Sequence, residues 1–387
     1  VIFTPVQFGP LTLKNRVIRA AAFEGMCYGH SISDDLLRYH ESIAGGGTAM
    51  TTLAYAAVSK EALSFPHQLL LDDNKLNELK QFTDLIHKHN CAASIQIGHC
   101  GNMAKSSITG MRPVSASAHF NLYGPTLPRK ASLADIKRIV NDFGNRVCLV
   151  AKAGFDAVEI HAGHGYLISQ FLSPYINKRA DEFGGNLENR MRFMTMVMEE
   201  VMNRAENKIA VLVKMNMFDG FKGGMEINES IQVAQRLQEI GVHGVILSAG
   251  FVSRAPMQVM RGKMPAAILA QRIKNIVEKF LVRFASPFLI PSVEFKENYF
   301  LESALQFRDK LKLPLIYVGG VKNEKNIEEV LNHGFDAVQV ARALISDPDF
   351  VNKINKANTY RAMCDTCNEC IAHMYTSKIQ CKFNTTL

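Results

Sequence analysis

Phe155-Asp156-Ala157-Val158-Glu159-Ile160-His161-Ala162-Gly163-His164-Gly165-Tyr166 decides how the chain folds. Its first six residues make a short apolar run of the kind that forms a buried strand, and two histidines and a tyrosine follow at once. An α/β barrel carries its chemistry where such strands end, on the C-terminal face. There His161 and His164 can donate hydrogen bonds to one oxygen while Tyr166 supplies a proton. That set polarises a carbonyl-like acceptor and protonates a carbon beside it.

The same alternation extends outward from this stretch. Apolar runs at 16–21, 48–53, 92–97, 155–160, 209–214, 243–247, 314–318 and 337–340 read as strands. Amphipathic stretches at 34–44, 75–89, 132–153, 187–204, 228–240, 299–311 and 323–333 read as the helices between them. Ser132 with Asp135 three residues on has the form of an N-cap pair, and Gly334 fits a C-terminal cap. Eight strand–helix units predict an α/β fold, a (β/α)8 TIM barrel over 1–356, with a doubly wound open sheet as the alternative. Two stretches escape the repeat: a long loop at 100–130 after strand three, and an excursion at 248–296 after strand six. Residues 357–387 are expected to form a short Cys-rich extension packed on the barrel.

Composition excludes more than it selects. The 387 residues are 47% hydrophobic, with 26 Gly and 13 Pro, which is ordinary for a globular chain. No apolar run is long enough to span a membrane, and Val1-Ile2-Phe3-Thr4-Pro5 lacks the regions of a signal peptide. The net charge of +8 suits an anionic cofactor or simply a basic surface, and no basic run with interleaved aromatics points to nucleic acid. Eight cysteines without a signal peptide predict a reducing, cytoplasmic setting.

The barrel hypothesis makes a sharper test of the remaining polar residues. Gln96, His161, His164, Lys214, Ser248, Gly319-Gly320 and Ala341-Arg342 all fall at the ends of expected strands, on one rim. Barrels commonly hold phosphate with their last two βα loops. Gly319 and Gly320 let backbone N–H groups approach an anion, and Arg342 adds a charged donor. Taken singly each has a bland alternative: a buried structural amide for Gln96, a solvated charge for Lys214 or Arg342, a tight turn for the glycines. Their common rim is what argues otherwise.

These residues resemble the old yellow enzyme family of FMN-dependent ene-reductases. The resemblance runs over nearly the whole chain: Phe3-Thr4-Pro5, Leu13-Lys14-Asn15-Arg16, Gln96 with His99, the His161/His164/Tyr166 motif, Phe171-Leu172-Ser173-Pro174, Asp181-Glu182-Phe183-Gly184-Gly185, Glu188-Asn189-Arg190, Val318-Gly319-Gly320 and Ala341-Arg342. It implies that Ala20, Ala21, Ala22 and Ala54 line the flavin, that Gln96 bonds its pyrimidine side, and that Lys214 lies near N1 and the C2 carbonyl. It further implies that Gly319, Gly320, Ala341 and Arg342 hold the FMN phosphate, that His161 and His164 bind the substrate oxygen, and that Tyr166 donates the proton. NAD(P)H would dock over the flavin as first substrate, and an α,β-unsaturated carbonyl compound would be the second. No G-x-G-x-x-G follows a strand to hold a dinucleotide otherwise. A homo-oligomer is left open.

Three departures stand out. Phe23 occupies a position where many relatives carry Thr or Cys, and Lys214 replaces a common Arg. Cys364, Cys367, Cys370 and Cys381 follow C-x2-C-x2-C-x10-C, and four thiols so close suggest ligation. Larger relatives, similar to 2,4-dienoyl-CoA reductase and trimethylamine dehydrogenase, hold a [4Fe–4S] cluster at this place on C-x2-C-x3-C-x11-C. Two gaps here are one residue shorter, so a cluster, zinc and free thiols all remain open. The alternatives to an ene-reductase are a C–N oxidising, amine dehydrogenase-like flavoprotein and a non-catalytic metal or redox module on a barrel scaffold.

Overall fold

The computed structural model describes residues 1–121, 126–271, 276–285, 290–357, 359–376 and 378–384. Eight parallel strands close a barrel: β1 (Val17–Arg19), β2 (Met50–Ala57), β3 (Ala92–Gly98), β4 (Ala157–Ala162), β5 (Ala210–Asn216), β6 (Gly244–Ser248), β7 (Leu315–Val318) and β8 (Ala337–Val340). Each pairs with its sequence neighbours, and β8 returns to β1 through Val338, Gln339 and Val340. Closure rules out the open doubly wound sheet. The strands are buried nearly throughout, as strands covered on both faces must be, and this explains their continuous apolar runs.

Helices α1 (Asp34–Gly45), α2 (Leu76–His87), α3 (Leu133–Lys152), α4 (Leu187–Ala205), α5 (Ile227–Ile240), α6 (Leu301–Arg308), α7 (Glu324–Asn332) and α8 (Phe350–Lys356) cover the outside. Their starts are written locally. Ser132 and Asp135 form a reciprocal capping box on α3, while Ser33, Asn186 and Asn323 cap α1, α4 and α7 with side-chain oxygens. Gly334 follows α7 at a φ of 84°, the left-handed stop its position suggested.

The barrel floor is closed by an antiparallel hairpin of Val6–Phe8 and Leu11–Leu13. Val6, Phe8 and Leu13 pack among Ile18, Met50, Leu212, Ile246 and Ile316, which point inward at the lower end of the strands. The mouth is left open for chemistry.

Two strand boundaries move the site. β4 begins at Ala157, two residues later than expected, because Phe155 and Asp156 belong to the turn after Gly154, at φ 86°. The Asp156 carboxylate fixes that turn by accepting from the Ala93 amide at 2.8 Å. β4 therefore runs to Ala162, and His161 lies within the strand rather than after it. β5 likewise extends to Asn216, so Lys214 sits inside it.

The loop after β3 contains short helices at Gly101–Met103 and Ser106–Thr109 and a small sheet of Val114–Ser115 with Arg129–Lys130; residues 122–125 lie outside the described part. The excursion after β6 carries short helices at Pro256–Met260, Ala266–Gln271 and Ile276–Phe280. The tail carries α9 (Glu369–Thr376). Among the described residues no helix is long and apolar enough to cross a membrane.

Candidate active site in the barrel mouth

The residues of β4 alternate between faces, so Glu159 and His161 share one side. Glu159 is fully buried on the barrel axis. Its Oε1 pairs with Lys214 Nζ at 2.8 Å and accepts from Gln96 Nε2 at 2.6 Å, and its Oε2 accepts from Gln339 Nε2 at 2.7 Å. One carboxylate thus ties β3, β4, β5 and β8 together just below the mouth. It also orients Gln96: with the amide nitrogen committed to Glu159, the amide oxygen is left as an acceptor. Burial pulls the Lys214 ammonium down from its usual value, against the attraction of Glu159.

Above this node lie the imidazoles. His161 Nε2 is 3.1 Å from His164 Nδ1, and His164 Nε2 is 2.7 Å from Ser248 Oγ. His164 stands at a left-handed φ of 57°, and its backbone amide donates to Asn216 Oδ1 at 2.9 Å. Asn216 is fixed in turn by donating to Asp219 Oδ1 and to the Gly250 carbonyl. The strained turn is therefore held by β5 and the start of the excursion. Burial depresses both imidazoles, His164 to about 3 with Lys214 adding to the fall, and His161 well below the ordinary range with His164 and Lys214 adding. Both rings are neutral at any working pH. His161 Nδ1 is buried without a hydrogen-bond partner.

Tyr166 is nearly buried, with its ring 4.2 Å from that of His161 and 5.1 Å from that of Tyr55. Tyr55 reaches Ser64 through its hydroxyl, and Phe23 stacks on Phe65 at 4.7 Å. Phe23 thereby forms an apolar wall where a polar side chain would otherwise face the mouth. The backbone of Tyr166 is anchored by Gln170, whose amide oxygen accepts from Asn102 N and Ser115 Oγ while its nitrogen donates to the Gly165 carbonyl at 2.7 Å.

One cleft of about 1140 Å³, part of it open to solvent, is shared by Ala20, Ala21, Ala22, Gln96, His161, His164, Tyr166 and Lys214. Ala341 and Arg342 also line it and connect it to a smaller recess formed by Gly319 and Gly320. A Cβ on Gly319, at φ 141°, would come within 2.8 Å of Phe300, and one on Gly320, at φ 82°, within 2.8 Å of the Lys296 carbonyl. Only glycine fits at either position. A largely apolar cleft with Gln96 and Lys214 on its wall, joined to a glycine-lined recess with an arginine, suits the flavin ring and the phosphate of FMN. The residues present fit that group.

Ala54 is the exception among the expected cofactor contacts. It is buried in a cluster with Tyr55, Phe65 and Met103 and does not line the cleft, and its amide donates to Glu24 at 3.1 Å. Its neighbour Tyr55 lines the cleft, at a point where the register of β2 against β3 shifts between Leu53 and Ala56. Tyr55, Glu159 and Gln339 had no assigned role from sequence. For Glu159 and Gln339 the available signal was a polar residue in the middle of an apolar strand.

The four tail cysteines are electrostatic neighbours. Burial pushes the Cys370 thiol up to about 12, with Arg342 opposing and Cys364, Cys381 and Cys367 adding to the rise. Among the described residues, however, no three ligating side chains converge as a metal site. The four thiols therefore do not form a centre ready for a cluster or zinc. Cys364 instead lines the glycine recess.

Residues 1–284 match the family model of the NADH:flavin oxidoreductase / NADH oxidase family. A 4,4'-dithiodibutanoate disulfide reductase of Rhodococcus erythropolis is 37% identical over 376 residues, 97% of this chain and 93% of that protein. An NADH oxidase of Thermoanaerobacter brockii is 26% identical over 374 residues, 95% of this chain, which spans only 52% of that protein. The structure of a 2-naphthoyl-CoA reductase complex superposes with a TM-score of 0.84 at 20% identity, over 99% of this chain and 56% of that one, a likeness of fold.

Proposed function

The chain belongs to the NADH:flavin oxidoreductase / NADH oxidase family and is a flavin-dependent NAD(P)H oxidoreductase; from that premise we propose that it reduces the activated C=C bond of α,β-unsaturated carbonyl compounds. The observation that carries this reading is the pair of neutral imidazoles beside Tyr166, in the cleft that Gln96 and Lys214 also line.

FMN, when bound, supplies the hydride that it has taken from NAD(P)H. The protein's part is to hold, polarise and protonate. Gln96 and Lys214 would hold the pyrimidine edge of the flavin, Lys214 supplying a positive charge there; Gly319, Gly320, Ala341 and Arg342 would hold the phosphate, and Ala20, Ala21 and Ala22 would border the ring. His161 and His164 donate to the carbonyl oxygen on which charge grows, and because both are neutral they do so without surrendering a proton. The two nitrogens lie 3.1 Å apart, within hydrogen-bonding distance of each other, so a carbonyl oxygen would part that contact to receive a hydrogen bond from each ring. That requires the His164 proton on Nδ1, which the Ser248 hydroxyl favours by donating to Nε2. The Tyr166 phenol protonates the α-carbon. Phe23, Phe65 and Tyr55 keep water from this corner.

An absorption spectrum of the anaerobic protein tests the reading. Flavin bands that bleach with NADH or NADPH and return on adding a cyclic enone support it. A protein that stays colourless after incubation with FMN removes it. A second reading, reduction of an organic disulfide to two thiols, is favoured by the 37% relative. Reoxidation by 4,4'-dithiodibutanoate but not by enones would select it. The amine-oxidising alternative requires bleaching by amines instead.

A further inference from the structure

Asn368 stands between Cys367 and Cys370, 1% exposed and at a left-handed φ of 64°. Its Oδ1 accepts from Arg342 Nη1 at 2.7 Å. Its Nδ2 donates to the carbonyls of Arg261 at 2.6 Å and Lys263 at 3.1 Å. One buried amide thus joins the rim after β8, the excursion after β6 and the tail. The Asn368 carbonyl accepts from the amides of Ile371 and Ala372, so the residue cannot swing away without unwinding the start of α9. Tail and excursion also meet backbone to backbone, since a Cβ on Gly262 would lie 3.1 Å from the Thr366 carbonyl.

The nature of the partner matters. Arg342 lines the glycine recess and lies over the Phe295 ring at 5.5 Å. A carboxylate partner would orient this guanidinium but cancel its charge. A neutral amide oxygen orients it and leaves the charge and the remaining N–H groups for an anion. We propose that Asn368 is a positioning residue that aims Arg342 at the flavin phosphate, which makes the cysteine-bearing tail a structural part of the cofactor site. The proposal rests on the flavoprotein reading above.

FMN and riboflavin differ by the phosphate alone, so the ratio of their dissociation constants isolates its recognition. Asn368→Gly removes the side chain while tolerating the left-handed backbone. The expected result is that riboflavin affinity is unchanged, FMN affinity falls about tenfold, as for loss of a hydrogen bond to a charged group, and the apoprotein still melts in one cooperative transition, at a somewhat lower temperature. Arg342→Ala should raise the FMN-to-riboflavin ratio of dissociation constants further, and adding Asn368→Gly to it should change nothing more. Equal weakening of both flavins, or a ratio unchanged by Asn368→Gly, overturns the positioning role while leaving the flavoprotein reading intact. A wild-type chain that binds neither flavin overturns the flavoprotein reading itself.

Discussion

The β4 rim and the C-terminal tail are both rich in reactive side chains, yet they are held in different ways. In the rim, Glu159, Gln96, Lys214 and Gln339 close a fully buried node of charge-assisted bonds, and Gln170 anchors the turn that follows. In the tail, the polar contacts to the barrel are spread singly along the segment: among them Arg361 to Glu297, the Ala362 amide to the Lys322 carbonyl at 2.9 Å, Asn368 to Arg342, Lys378 to Asp35 at 2.9 Å, the Ile379 amide to the Glu24 carbonyl at 2.9 Å and Asn384 to the Ile345 carbonyl at 3.0 Å. A buried network fixes each member through the others, whereas isolated contacts fix only the pair involved. Groups that must meet a reacting atom within a fraction of an ångström belong in the first kind of setting. The second suffices for a segment that only supports.

The largest expected effect breaks the rim at its chemical end. Tyr166→Phe should slow reoxidation by an enone by about 10²–10⁴-fold and leave reduction by NAD(P)H nearly intact, measured in separate stopped-flow half-reactions. Equal slowing of both would remove the proton-donor role.

Next comes the node beneath. Glu159→Leu leaves Lys214 buried without its counter-ion and should cost about 3–5 kcal/mol, read from the urea unfolding midpoint. A loss below about 1 kcal/mol would mean that Lys214 finds water or sheds its proton cheaply.

A pH experiment sharpens the contrast further. Burial alone would raise the Glu61 carboxyl, but the His99 imidazole 3.8 Å away and the Arg138 guanidinium, which donates to it, bring it down to about 2. A carboxylate lowered in the folded state contributes stability above its unfolded value near 4.5, and that contribution disappears as pH falls toward 2. The loss should be on the order of 3 kcal/mol over that window, and Glu61→Gln should flatten it. The His161 and His164 depressions act in the same sense at higher pH. The unfolded chain takes up their protons below about 6.5, so stability also falls with pH from there down to the folded values. Between pH 7 and 9 neither imidazole should appear in the rate profile of the second half-reaction.

The smallest effect belongs to the tail. Lys378→Ala removes a partly exposed pair with Asp35 and should change stability by less than about 1 kcal/mol, checked by thermal melting. A larger drop would show that the tail is held as firmly as the rim.

The strand and helix order of the barrel was legible because apolar runs and capping residues are local signals. So was the His161, His164 and Tyr166 set, which falls within one turn of chain. The positions of His161 and Lys214 inside their strands were not legible, since the turn that delays β4 is fixed by Asp156 bonding to Ala93, 63 residues away. The surroundings of Ala54 were not legible either: the register of β2 shifts between Leu53 and Ala56, which no local pattern records.

By itself, then, the sequence determined an eight-unit barrel, a reactive rim after its fourth strand and a glycine–arginine pair suited to phosphate. Only the tertiary structure decided what those groups bond to. Glu159 and Gln339 are 180 residues apart, and Asn368 reaches Arg261 across 107. Such pairings depend on closing the barrel and laying the tail across it, because hydrogen bonds are made between atoms brought within 3 Å or so, and no local pattern records which distant donors will arrive.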